Sequence, residues 1–243
     1  MATLLEVVLR GLILLFFAAA PLTLGQQSPP VSRLIERFES EKVFWRQFEI
    51  AKSIAERNDP SVLPRLEPWL THNDRHLRGN AAFIFGRLGD RRGFDVIVAI
   101  LGDHSETRTV ESISSNGTPF AKGQIREDRY YAAHLLGDLK DPRAIPILVP
   151  LLADTDINYI VPWSLARIGG RSVIPPLIAT LTFRNPSMRV LAIKALADLN
   201  AKEALPQLRL LLNDQKRSTF GKMESVADAS QEAITAIQLK TAR

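Results

Sequence analysis

Residues Leu136–Leu152 read "LGDLKDPRAIPILVPLL", and a similar phrase, "LNAKEALPQLRLLL", returns at Leu199–Leu212. Three more copies line up with them: "NDPSVLPRLEPWL" (Asn58–Leu70), "GDRRGFDVIVAIL" (Gly89–Leu101) and "GGRSVIPPLIATL" (Gly169–Leu181). The closing leucines, Leu70, Leu101, Leu152, Leu181 and Leu212, stand 31, 51, 29 and 31 residues apart, so a short unit repeats and one interval is about 20 residues too long. Inside each copy apolar residues recur at helical spacing, as in Ile145, Leu148, Leu151 and Leu152, which predicts a short amphipathic helix. Pro64, Pro146, Pro175 and Pro206 share a column near its start, where a missing N–H has no intrahelical partner to lose.

A second helix is predicted in each copy, for example "RHLRGNAAFIFGRLG", "EDRYYAAHLLGDL" and "PSMRVLAIKALADL". Small residues at Gly86, Gly137, Ala166 and Ala197 fall in one column and allow neighbouring helices to approach closely. A two-helix unit has too little apolar surface to stand alone, so the units must stack into one continuous core.

On these residues, above all the copy from Ala132 to Leu152, the chain resembles the HEAT-like repeat family, in particular its short bacterial-type branch with the phrase A-x-x-L-G-x-L-x-D-P-x-A-x-P-x-L. The resemblance covers about Asn58 to Leu239 and implies an all-α, right-handed α-solenoid of about five helix pairs. The expected organisation is a signal peptide or membrane anchor over 1–25, a helical cap over 26–57 and a repeat array over 58–243 that carries an insertion at 104–128. Two departures stand out: Asp95 replaces the column proline, and Pro162 lies inside a second helix, where a kink or break is expected.

Several columns are candidates for function. Arg78, Arg129 and Arg189 align, with Asp74 and Asn185 four residues before the first and last, a spacing suited to capping and charge pairing. Such columns commonly form an inter-repeat ladder in the family; the functional reading is an arginine row that grips acidic groups. Tyr130, Tyr131, Tyr159 and Trp163 are aromatic candidates for a partner-binding patch on the second helices, the alternative being inter-repeat core. The 104–128 insertion, with "SSNGTP" inside it, reads as a loop or small hairpin and as a possible binding element; Asn116-Gly117-Thr118 fits a glycosylation acceptor. His72, Asp74, His76, Asp103 and His104 gather near the insertion as the best metal candidates, although the chain has no HExxH and none of the His-Glu pairs of metal-dependent HEAT-like hydroxylases.

The address signal is the uncharged run "GLILLFFAAAPLTL" after Arg10, too short for a spanning helix and suited to export, with a cleavage site after Gly25; Glu6 is atypical for such a signal. A net charge of +5 over 243 residues is mild, and no basic stripe indicates nucleic acid. The absence of cysteine excludes disulfides and lipoprotein attachment through a thiol. No nucleophile elbow, phosphate loop or dinucleotide fingerprint occurs, and no cofactor is implied. The resulting expectation is an exported, non-enzymatic scaffold that binds a protein partner through its second-helix face and the insertion, with membrane contact only through the N-terminal segment. The alternative is a lyase-like or metal-dependent enzyme using the His72/His76/His104 region, since phycobilin lyases share HEAT-like repeats.

Overall fold

A computed structural model describes residues 29–106, 111–113, 125–219 and 222–241. The segment at 1–25 expected to be a signal peptide or anchor and the triplet at 116–118 that fits a glycosylation acceptor lie outside the described residues. The α-helices run α1 (Val31–Ser40), α2 (Phe44–Ala55), α3 (Leu63–Leu66), α4 (Arg75–Arg87), α5 (Arg91–Gly102), α6 (Ile125–Leu139), α7 (Ile145–Leu148), α8 (Val161–Ile168), α9 (Ile174–Thr180), α10 (Pro186–Asp198), α11 (Leu205–Leu210) and α12 (Val226–Thr241). They alternate between two layers. Even-numbered helices pack successively, α2 on α4, α4 on α6, α6 on α8, α8 on α10 and α10 on α12, and the odd-numbered helices cover them, α3 through its 3-10 continuation Glu67–Thr71. The result is an all-α solenoid whose first pair is the cap and whose apolar interior is continuous from Leu34 to Ile237.

Proline placement explains why the first helices differ. In the copies with Pro64/Pro68 and Pro146/Pro150, the α-helical part is only four residues and continues as 3-10 turns, Glu67–Thr71 and Val149–Ala153. The second proline of each pair has no N–H to give the carbonyl four residues back, so the tighter hydrogen-bond pattern takes over. The copy with Asp95 has no such proline, and α5 is one uninterrupted helix of 12 residues. Pro162 does not kink a helix: α8 begins there, after a 3-10 turn at Asn158–Ile160, and is the shortest of the second helices.

The junctions repeat as well. The residue that closes each second helix adopts positive φ in all five copies: Asn58 at 50°, Gly89 at 85°, Lys140 at 57°, Gly169 at 78° and Asn200 at 52°. This left-handed position ends a helix by letting the chain turn back on itself. Asp59, Asp90 and Asp141 follow directly, and each accepts the N–H two residues on, at 3.0, 2.9 and 2.9 Å, to start the next first helix.

Of the insertion, residues 111–113 lie against the cap. Ile113 N donates to Lys42 O (2.9 Å) and Phe44 N to Ile113 O (3.3 Å), forming a parallel bridge between Val43 and Ile113. The expected hairpin would involve 107–110 and 114–124, outside the described residues.

Candidate functional site

The arginine column is structural. Arg129 is buried, reaching Asp154 Oδ2 at 2.7 Å and Leu101 O at 2.9 Å; Arg189 is buried on Asp214 Oδ2 at 2.7 Å and Phe183 O at 2.6 Å. Each spans from a second helix to the turn after the next first helix, making an inter-repeat ladder. In the first repeat Arg78 bonds His72 O (2.5 Å), while the aspartate-binding role falls to Arg75. A partner-gripping role for Arg129 and Arg189 is therefore corrected: both side chains are buried in the stack, with their terminal nitrogens bonded to the neighbouring turns.

Arg75 is the residue that sequence reasoning missed. Only 4% exposed, its guanidinium holds Asp103 Oδ2 (2.6 Å) and Ser105 O and Oγ (both 2.8 Å) on the chain entering the insertion, and Asp128 Oδ2 (2.9 Å) where the chain leaves it. Between these ends, Asp74 divides its carboxylate. Oδ1 caps α4 through the N–H of His76 and Leu77, and Oδ2 accepts the N–H of Glu111 (2.8 Å) and Ser112 (2.7 Å). Burial works against its ionised form, but these N–H groups win and hold its pKa below the ordinary value. Asp74 and Arg75 thus fasten the insertion at three places. Asn185 caps α10 as its spacing predicted, accepting from Ser187 N at 2.9 Å.

The histidines predicted as a metal group are dispersed. His76 is buried against Phe44 and Tyr131, with Nδ1 3.5 Å from Asp128 Oδ1. His72 stacks on Trp69, and its Nδ1 accepts the Asp74 N–H at 3.1 Å. Asp103 is taken by Arg75 and Ser105, and His104 sits in the turn after α5. Among the described residues no three His, Cys, Asp or Glu side chains come together as a metal-holding group.

Of the aromatic candidates, Tyr131 points inward, 3% exposed. Its hydroxyl donates to Asn80 Oδ1, and Asn80 passes the chain on to Gln47 Oε1 and Phe44 O, each at 2.9 Å. It is unavailable to a partner because the cap, through Phe44 and Trp45, closes over it. Tyr130 is half-buried, as is Tyr159, whose hydroxyl accepts from Asn185 Nδ2 at 3.1 Å.

Trp163 has the most informative surroundings. Its ring stacks on His134, with centroids 4.5 Å apart and planes inclined by 13°. Trp45 and Phe48 of the cap meet the imidazole edge-on at 5.1 and 5.7 Å. His134 is 14% exposed, and its Nδ1 is buried without a hydrogen-bond partner among the described residues, 3.9 Å from Asp138 Oδ2. Asp138 is held through its other oxygen by Arg167 at 2.7 Å. Burial lowers the His134 pKa, and Asp138 only partly opposes this, so the ring is neutral at pH 7.

Next to Asp138 opens a small, open cleft of about 150 Å³ at the C-terminal ends of four second helices. Lys52 lines it from α2 and Glu56 from just past its end, Phe83 and Arg87 from α4, Asp138 from α6 and Lys140 from just past its end, and Arg167 from α8. Four cations face two carboxylates. Read in register, Glu56, Arg87, Asp138, Arg167 and Asp198 each lie two residues before the left-handed junction, an alternating charge column that the sequence carried unread.

The buried imidazoles set an acid response. Burial is also the main cause of the lowered pKa of His76. An unfolded chain protonates these rings near 6.5 whereas the folded chain resists, so U binds more protons below that value and stability falls as pH drops through it. The expected result is a melting temperature that declines from pH 7 to pH 5, with a shallower decline in His134→Gln, as thermal melts over that range would measure.

Residues 156–220 match the family described as HEAT repeats, and residues 128–154 match the PBS lyase HEAT-like repeat family. Over residues 128–154 and 156–220, then, the chain carries HEAT-like repeats. Over 146 residues, 59% of its length, it is 32% identical to bilin biosynthesis protein PecE of Mastigocladus laminosus and 31% identical to the protein of the same name from Nostoc sp.. The aligned part covers 49% and 53% of those proteins, so the chain spans about half the length of the curated relatives it matches. Among solved structures, an engineered protein aligns over 87% of this chain and 98% of its own at 18% identity, with a TM-score of 0.44. The expectation of a non-enzymatic protein is overturned by these findings: one matching family is named for PBS lyase and the relatives for bilin biosynthesis.

Proposed function

We propose that this HEAT-like repeat protein handles a bilin in a lyase-type reaction, binding the open-chain tetrapyrrole on its second-helix face. The observation that carries this reading is the stacked Trp163–His134 pair opening beside a cleft lined by Lys52, Arg87, Lys140 and Arg167. A bilin is a flat, conjugated molecule with two propionate carboxylates. It calls for an aromatic platform and nearby cations, and both are present on one face. With no cysteine, the chain has no thioether link of its own to offer a bilin, so the association is non-covalent. His134 has the features of an acid–base group. Asp138 faces the sealed Nδ1, so the nitrogen left for a ligand is Nε2, and a neutral ring can accept a proton there and return it.

Spectrophotometric titration of biliverdin with the protein tests the reading. A saturable change in the visible band is expected, with Trp163→Ala weakening binding by about tenfold, the equivalent of losing one stacking contact. An unchanged spectrum, or equal affinity in Trp163→Ala, would count against it.

A further inference from the structure

Lys140 occupies the left-handed junction at φ 57°, where the other repeats place Asn58, Gly89, Gly169 and Asn200. Glycine adopts this conformation freely and asparagine tolerates it; a lysine gains nothing local from it. A side chain held in a disfavoured backbone region points to a use for it, and here it lines the cleft. Arg87 lies across from it on α4. Of the remaining cations, Arg167 is paired with Asp138, and Lys52 with Glu49 at 2.6 Å. Among the described residues, the side chains of Arg87 and Lys140 have no hydrogen-bond or ion-pair partner, although the carboxylate of Glu56 shares the lining.

We infer that Lys140 and Arg87 form a carboxylate-binding subsite that takes a propionate group of the ligand. The inference rests on the bilin reading above and refines it by assigning one end of the ligand to one end of the cleft. It explains why the cleft has two uncommitted cations, and why a strained position is filled by lysine rather than by the asparagine found at Asn58 and Asn200.

The test uses Lys140→Asn, which restores the residue that two sister junctions already accommodate, alone and combined with Arg87→Gln. Biliverdin and biliverdin dimethyl ester are titrated into each protein, alongside thermal melts. The expected result is about fivefold weaker biliverdin binding in Lys140→Asn and a further loss in the double variant. The melting temperature should stay level or rise, and the ester should bind all proteins alike. Equal biliverdin affinity in the wild-type protein and the double variant would overturn the subsite while leaving the bilin reading intact. Failure of the wild-type protein to bind either compound would overturn both.

Discussion

Replacing Arg75 with leucine is expected to lower stability by about 3–5 kcal/mol, because a buried ion pair that loses one member leaves the other charge in a poor solvent. Asp128, 6% exposed, would lose the guanidinium that now lies 2.9 Å away, and Asp103 and Ser105 would lose theirs at 2.6–2.8 Å. For a chain of this size the shift in melting temperature is on the order of 10 °C. The effect has a second component that packing alone would not produce. Since Arg75 ties the entry and exit of the insertion to α4, its loss should also raise amide hydrogen exchange at Glu111 and Ser112, whose N–H groups rest on the neighbouring Asp74. A melting temperature within about 2 °C of wild type, well below the expected order of magnitude, would show that the clamp is not a stabilising element.

Gly93→Ala should be comparably damaging for a different reason. A Cβ built there would lie 2.2 Å from Ala82 O and 2.2 Å from Gly86 N, with Gly86 Cα at 2.9 Å. These are backbone atoms of α4, which cannot rotate aside, so α5 would have to move away from its partner along their shared length. Overpacking of this kind costs about 3 kcal/mol, near the upper end for a rigid contact. Gly102→Ala is the matching control: nothing lies within 4 Å of its added Cβ, and removing backbone freedom from the end of α5 is expected to be neutral or slightly stabilising. Chemical denaturation of the two variants side by side separates a helix-propensity effect from a collision. Equal stability of both would contradict the close approach of α4 and α5.

Much of the architecture was legible because it repeats. The column prolines, the closing leucines and the caps at Asp74 and Asn185 act within a few residues of themselves, and periodicity reveals interactions of that range. Contacts that join distant positions were not legible. Nothing at Arg75 indicates partners 28 and 53 residues away, and Tyr131 looks like a surface residue until the cap helix α2 is known to cover it. The site falls between these cases. Trp163 stands out as a ring on a second helix, but nothing in the sequence pattern marks His134, 29 residues earlier, as its stacking partner. The charges of the cleft went unread although their register is regular: Arg87, Asp138 and Arg167 hold equivalent places, and Lys140 stands in a column otherwise made of asparagine and glycine. Asking which residue breaks a column is therefore more informative than asking which residues recur. The repeat architecture itself is neutral about catalysis, which is why an expected scaffold gave way once the relatives were known.

The most direct test of the account is a crystal structure of the protein grown with biliverdin. The account predicts the tetrapyrrole on the second-helix face, a ring stacked beside Trp163 within reach of His134 Nε2 and a propionate between Lys140 and Arg87. Biliverdin bound instead on the odd-numbered helices, or along the inner face away from Trp163, would contradict it.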